Sequence, residues 1–226
     1  MSKAGILRGI PLFVGLNDEE LHDLAESLGR RVFGRGVVIF QDGSPGDTLY
    51  IIESGKVRIF GVSESGREIS VNVYGPGEFF GELSALDGLP RSAGAVAVED
   101  TVTFTLHRDN LMRRLEASPR MALSIIRVLS ARLRYTTRYA QSLAFLDAYG
   151  RMAAKLLELA ERYGVQKDGI DIDLPLTQSE LASWIGTSRE SANKVLRDLQ
   201  ERGLIGLKRK KITILDKRRL QELIVY

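Results

Sequence analysis

The segment from Gly81 to Ala93 reads Gly-Glu-Leu-Ser-Ala-Leu-Asp-Gly-Leu-Pro-Arg-Ser-Ala. It brings an anion clamp, a carboxylate and hydroxyls into one short stretch. A buried sugar phosphate needs backbone N–H groups and a guanidinium for its charge, and an acceptor for a ribose hydroxyl. Gly75, Gly77 and Gly81 let a main chain approach a ligand closely, Glu82 is the acceptor, Arg91 the fork-shaped cation and Ser92 the hydroxyl beside it, with Pro90 setting the approach to Arg91. The same residues have plainer uses. Gly and Pro also mark ordinary turns, and Glu82 with Arg91 would make a solvated ion pair.

The elements around this stretch are short. Asn17 before Asp18-Glu19-Glu20 starts a helix whose apolar face is Leu21, Leu24, Ala25 and Leu28, and Gly29 is expected to end it. From Arg30 to about Leu106 the pattern changes to β-branched and aromatic runs cut by glycine, an all-β signature. Strands are expected at Val37 to Gln41, Thr48 to Ser54, Lys56 to Val62, Glu68 to Tyr74, Gly94 to Ala97 and Thr101 to Leu106. About eight short strands with turns at Asp42-Gly43, Pro45-Gly46, Ser54-Gly55, Ser65-Gly66 and Pro76-Gly77 suggest a jelly roll.

A short helix from Asp109 to Ser118 precedes a long one opened by Pro119. In the long helix Ile126, Leu129, Leu133, Thr136, Ala140 and Leu143 recur at steps of three and four, a coiled-coil seam that predicts a parallel homodimer. Farther on, Gly150 to Arg162 carries a helical apolar face, Gly169 to Leu176 reads as extended, and Thr177-Gln178-Ser179-Glu180 is a capping box. Within Gln178 to Arg197, apolar Leu181, Ile185, Val195 and Leu196 frame small Ala182 and turn-forming Gly186, the spacing of a helix-turn-helix.

Thr187 or Ser188 caps its second helix, which opens with Arg189 and Glu190. An exposed Arg makes two bonds to a guanine edge, and a Glu accepts from cytosine N4. Arg189 and Glu190 as a mutually solvated pair is the simpler alternative. Thr177, Gln178, Thr187 and Ser188 are candidate contacts that position without specifying. The stretch Gly203 to Leu215 reads as two strands around a basic turn, a wing.

Composition narrows the chemistry. The chain has 226 residues with 44% hydrophobic and 27% charged, enough for one large or two modest cores, and no apolar run is long enough to span a bilayer. No cleavable signal is visible, so a cytoplasmic location is expected. With no cysteine, disulfides, thiolate nucleophiles and cysteine-held metals drop out; with only His22 and His107, a multi-histidine metal site is not expected. No catalytic constellation stands out and no enzyme activity is expected. The net charge of +3 is small, but Lys194, Arg197, Arg202, Lys208, Arg209, Lys210, Lys211, Lys217, Arg218 and Arg219 crowd the end, which suits a polyanion.

Phe79-Phe80-Gly81-Glu82-Leu83-Ser84 with Arg91-Ser92-Ala93 resembles the phosphate-binding cassette of cyclic-nucleotide-binding domains, in particular those of the bacterial cyclic AMP receptor protein and FNR family. The resemblance extends over almost the whole chain. It implies an α+β protein: an N-terminal double-stranded β-helix (jelly-roll) cyclic-nucleotide-binding domain over 1–118, a dimerisation helix and hinge over 119–147, and a C-terminal winged helix-turn-helix over 148–226. By the same resemblance Gly81, Glu82, Leu83 and Ser84 line the ribose phosphate, Glu82 takes the 2'-hydroxyl, and Arg91 with Ser92 holds the cyclic phosphate.

Arg132-Leu133-Arg134-Tyr135-Thr136-Thr137 is similar to that family's dimer helix, where paired hydroxyl residues meet adenine; Thr136 and Thr137 stand there. Ser188-Arg189-Glu190-Ser191 resembles its recognition-helix start, and the third base contact falls on Lys194, where many relatives have Arg. Lys is a point donor without Arg's fork, so preference at that base pair is expected to differ.

The resemblance thus implies a cytoplasmic bacterial transcription regulator that is gated by cyclic AMP as its effector, uses no metal, and binds a palindromic double-stranded DNA operator as a homodimer in concert with RNA polymerase. Same-fold alternatives sense cyclic di-GMP, cyclic GMP or nothing. From other classes, a β-roll metal enzyme has too few ligands here, and a kinase or channel regulatory subunit would not need the helix-turn-helix.

Overall fold

The computed structural model describes residues 3–172, 174, 177–208 and 211–225. It divides into two compact units, with the division between Arg134 and Tyr135.

The first unit opens with α1 (Lys3–Arg8), a 3-10 turn at Pro11–Phe13 and α2 (Asp18–Ser27). Asn17 accepts from the Glu20 amide at 2.9 Å and the Glu20 side chain returns to the Asn17 amide at 2.7 Å, a full capping box. The helix does not end on Gly29 as a left-handed cap. It stops at Ser27 with Leu28 extended, and Gly29 opens a strand. Glycine is needed there for a tertiary reason: a Cβ would lie 2.5 Å from Thr105 Oγ1 on the paired strand.

Eight strands follow: β1 (Gly29–Phe33), β2 (Val38–Phe40), β3 (Thr48–Ser54), β4 (Val57–Val62), β5 (Glu68–Tyr74), β6 (Phe79–Phe80), β7 (Gly94–Ala97) and β8 (Thr101–His107). They form two antiparallel sheets, ordered β1-β8-β3-β6 and β2-β7-β4-β5, the double-stranded β-helix. Two of these strands, β1 and β6, are not distinguishable in the sequence as separate runs.

The period of two decides which face each residue serves. In β3, Leu49 and Ile51 enter a core shared with α1, the 3-10 turn, α2 and three further helices, whereas Tyr50 and Ile52 join Val57, Phe80 and Ala95 in the interior of the roll. Phe79 and Phe80 divide the same way, so one sheet is buried on both faces. The three further helices are α3 (Glu82–Asp87), α4 (Arg108–Ala117) and α5 (Pro119–Phe145), the last opened by its N1 proline.

The second unit takes the C-terminal part of α5 and then α6 (Ala148–Tyr163), β9 (Gly164–Gln166), β10 (Ile170–Ile172), α7 (Gln178–Trp184), α8 (Arg189–Glu201), β11 (Ile205–Lys208), β12 (Lys211–Ile214) and α9 (Lys217–Gln221). Its four strands form one antiparallel sheet, ordered β11-β12-β10-β9. The extended segment expected over 169–176 is realised as β10; residues 173, 175 and 176 lie outside the described residues, as do Arg209 and Lys210 of the wing turn. Gly186, at φ 60°, makes the turn between α7 and α8, and Ala182, Val195, Leu196 and Leu199 are buried between and behind them. Among the described residues no helix is long and apolar enough to cross a membrane.

Candidate ligand site and nucleic-acid interface

Arg91 is the centre of the first site. Its Nη1 donates to the Gly81 carbonyl at 2.8 Å and to Ser84 Oγ at 2.9 Å, and its Nη2 donates to the Thr48 carbonyl at 2.9 Å. The Phe40 ring lies against the guanidinium, 4.2 Å to the centroid, in an aromatic group with Tyr50 and Phe80.

Every acceptor that Arg91 has is neutral. The two nearby carboxylates are engaged elsewhere, Asp47 with His107 at 3.4 Å and Glu82 with Arg132 at 2.6 Å. Arg91 is 4% exposed, and its Nε is buried without an acceptor. Desolvation lowers its pKa, although Tyr50, Asp47 and Glu82 act on it through space in the opposite sense. A buried cation with an orphaned donor lacks a counter-anion.

Two glycines make room for this cation. A Cβ on Gly46 would sit 2.0 Å from Arg91 Nε, and one on Gly81 would sit 2.7 Å from Nη1. Gly81 is also left-handed, φ 75°, and as the N-cap of α3 it offers no side-chain cap to that helix. Gly75 and Gly77 do not approach Arg91; they form the turn into β6, and a Cβ on Gly77 would meet nothing. Gly46 is the residue that sequence reasoning missed. Its partner stands 45 positions away, and within its own turn it looks like any Pro-Gly pair.

Glu82 and Arg91 are not the solvated pair that was the plain alternative. Both are buried, and the Glu82 carboxylate pairs with Arg132 of α5, which also donates to the Phe79 carbonyl. The Tyr74 and Phe79 rings flank that guanidinium at 4.4 and 4.6 Å. Ser84 is buried beneath Arg91, whereas Leu83 and Ser92 are exposed. Thr136 and Thr137 are exposed on α5 beyond the division, in the second unit. Along the expected seam Ile126 is 55% and Leu133 66% exposed, with Leu143 at 36%, while Leu129 packs partly on the core of the first unit.

In the second unit Thr177 caps α7, accepting from the Glu180 amide at 3.2 Å and donating its hydroxyl to Glu180 at 2.7 Å. Ser188, not Thr187, caps α8, accepting from the Ser191 amide at 3.1 Å. Both hydroxyls therefore already have structural duties. Arg189, Glu190 and Lys194 are exposed on α8, and Gln178 is exposed at the start of α7. Beside α8 runs a groove of about 490 Å³, lined by Tyr149 of α6 with Glu190, Asn193, Lys194, Arg197, Asp198 and Glu201 of α8. The two histidines are at the surface, beside Glu26 and Asp47, and the described residues hold no group of three or more His, Cys, Asp or Glu placed to bind a metal.

The β-roll region and the helix-turn-helix region each match a known family. A family model described as cyclic nucleotide-binding domain matches residues 30–118, and one described as Crp-like helix-turn-helix domain matches residues 150–223. The chain is 39% identical over 216 residues to a CRP-like cAMP-activated global transcriptional regulator of Mycobacterium tuberculosis, covering 95% of this chain and 96% of that one. It is 40% identical over 202 residues to the cyclic AMP receptor protein of Thermus thermophilus, covering 89% and 90%. Among solved structures, the c-di-GMP responsive global regulator CLP of Xanthomonas campestris matches with a TM-score of 0.78 and 29% identity, covering 88% of this chain and 99% of that one.

Proposed function

Because this chain belongs to the CRP/FNR family of transcription regulators and carries both of its domains, we propose that it is a homodimeric regulator whose DNA affinity is raised by cyclic AMP. The observation that carries this reading is the Arg91 guanidinium, buried, without a counter-anion and with its Nε unpartnered. A cyclic phosphate is an anion that would complete it. Arg91, Ser92 and the main chain of Gly81, Leu83 and Ser84 would hold the phosphate. Glu82, fixed by Arg132, would accept from the ribose hydroxyl.

Thr136 and Thr137 are proposed for the adenine on the strength of the family resemblance. The relatives at 39% and 40% identity, both named for cyclic AMP, favour this nucleotide. The relative named as responsive to c-di-GMP, at 29% identity, supports that dinucleotide as the second reading. The exposed apolar stripe of α5 favours pairing through that helix, and a dimer would present two copies of α8 to successive major grooves about 34 Å apart.

Arg189, Glu190 and Lys194 would read base edges, with Thr177, Gln178, Thr187 and Ser188 near the phosphates. RNA polymerase would be the partner on DNA. Ligand and DNA would each tighten the other's binding by the same factor. Calorimetry with cyclic AMP, cyclic GMP and cyclic di-GMP, followed by DNA binding with and without the tightest binder, tests the reading. Cyclic AMP is expected to bind and to raise DNA affinity at least tenfold, and no binding by any of the three would overturn it.

A further inference from the structure

The second unit buries a charged side chain on a helix face that is otherwise apolar. Lys155 lies on the apolar face of α6 among Met152, Leu156 and Leu159 and is 6% exposed. Its Nζ donates to Tyr135 Oη at 3.0 Å and pairs with Glu158 at 3.0 Å. Tyr135, on α5, donates to Glu158 at 3.3 Å. The ammonium also stands 3.6 Å from the centroid of the Trp184 ring. Burial pushes Lys155 down to about 8, although Glu158 works to raise it. An apolar side chain at 155 would fill the same space at lower desolvation cost.

The end of α7 is where these contacts converge. Trp184 is its last residue, two before the turn glycine Gly186. The carbonyls at a helix C-terminus have no partner within the helix. Here they are taken from outside: Tyr139 of α5 donates to the Trp184 carbonyl at 3.1 Å, and Arg151 of α6 donates to the Ile185 carbonyl at 2.7 Å. The indole Nε1 is buried without an acceptor, so the ring is held through its face and its main chain rather than its edge. On α5, Tyr135 follows by three residues Arg132, the partner of Glu82 in the first unit.

We infer that Lys155 is a positioning residue for ligand-controlled DNA binding: with Tyr135 and Glu158 it forms a polar latch that ties the C-terminal turns of α5 to the Trp184 end of α7. A rotation of α5 then moves the helix-turn-helix instead of slipping past it. An apolar contact would tolerate such slip, because it has no directional bonds to break, whereas three directional contacts to one ammonium define a single arrangement. The inference rests on the proposed gating by a cyclic nucleotide.

Trp184 is the single tryptophan of the chain, so its fluorescence reads the latch directly. Full-length wild type, Lys155→Met and Tyr135→Phe are titrated with cyclic AMP by calorimetry and by Trp184 emission. Each is then titrated with a duplex that the wild type has selected from a random pool, with and without cyclic AMP. In both variants cyclic AMP affinity is expected to stay within about threefold of wild type, while the gain in DNA affinity on adding ligand falls at least about fivefold. The ligand-dependent emission change is expected to disappear. Variants that fold and keep the wild-type gain overturn the latch. If Lys155→Met does not fold, Tyr135→Phe alone decides, since it removes one oxygen from the same cluster.

If the wild type itself shows no gain with ligand, the gating reading fails. The DNA titration then decides the latch: wild type must change its Trp184 emission on binding duplex and the variants must not, and equal changes sink it.

Discussion

Replacing Arg91 by Leu should separate ligand binding from folding, because this residue is costly to bury and useful only with an anion. Its three hydrogen bonds, to Gly81, Ser84 and Thr48, contribute about 1.5 kcal/mol each. The buried and unpaired charge costs several kcal/mol in the other direction. The two nearly offset, so the variant without ligand should unfold within about 1 kcal/mol of wild type.

Binding has no such compensation. Losing two charge-assisted bonds to a phosphate, at about 1.5 kcal/mol each, weakens affinity by about 150-fold. At a cyclic AMP concentration of about 100 times the wild-type Kd, ligand adds about 2.7 kcal/mol to wild-type stability and about 0.3 kcal/mol to the variant. Urea unfolding with and without cyclic AMP measures both quantities in one series. A variant that keeps the ligand-induced gain would refute the role given to Arg91. One that loses several kcal/mol without ligand would make Arg91 a structural strut instead.

Gly46→Ala should act on the same site from outside it. The new Cβ would fall 2.0 Å from Arg91 Nε and displace the guanidinium, so calorimetry should show at least about a tenfold loss of cyclic AMP affinity with the fold retained. Leu133→Glu puts a charge on the exposed α5 stripe and should shift the protein from dimer to monomer in sedimentation; an unchanged dimer would remove α5 from the interface.

Lys155 also predicts a pH dependence. Its folded pKa of about 8 lies below its ordinary 10.5, so its stability contribution is present above pH 10.5 and lost as pH falls through 8. Tyr135 and Tyr139, raised by burial, oppose this only above about pH 10, and Glu158 and Arg162 are the other charges that act on Lys155. Between pH 8 and pH 10 wild type should therefore gain about 2 kcal/mol relative to Lys155→Met in urea unfolding followed by Trp184 emission, and parallel pH profiles would contradict this.

What could be read from the chain was what neighbours in sequence decide. Asn17 and Thr177 announce helix starts through residues three positions on, the apolar and aromatic run over Thr48 to Ser54 announces a strand, and Ala182 with Gly186 announces a tight turn between helices. The inventory of the Arg91 site was visible for the same reason, being concentrated in one short run. Tertiary structure alone decided how those groups are paired. Glu82 faces Arg132 rather than Arg91, and Gly46 rather than Gly75 or Gly77 makes way for the guanidinium. Gly29 serves the approach of Thr105 rather than a helix end, and Lys155 meets Tyr135 and Trp184 across three helices. Pairing between distant residues depends on which surfaces the folded chain brings within a few ångströms. Periodicity and local propensity carry no record of that, whereas burial makes each such pairing strong enough to govern charge, position and response.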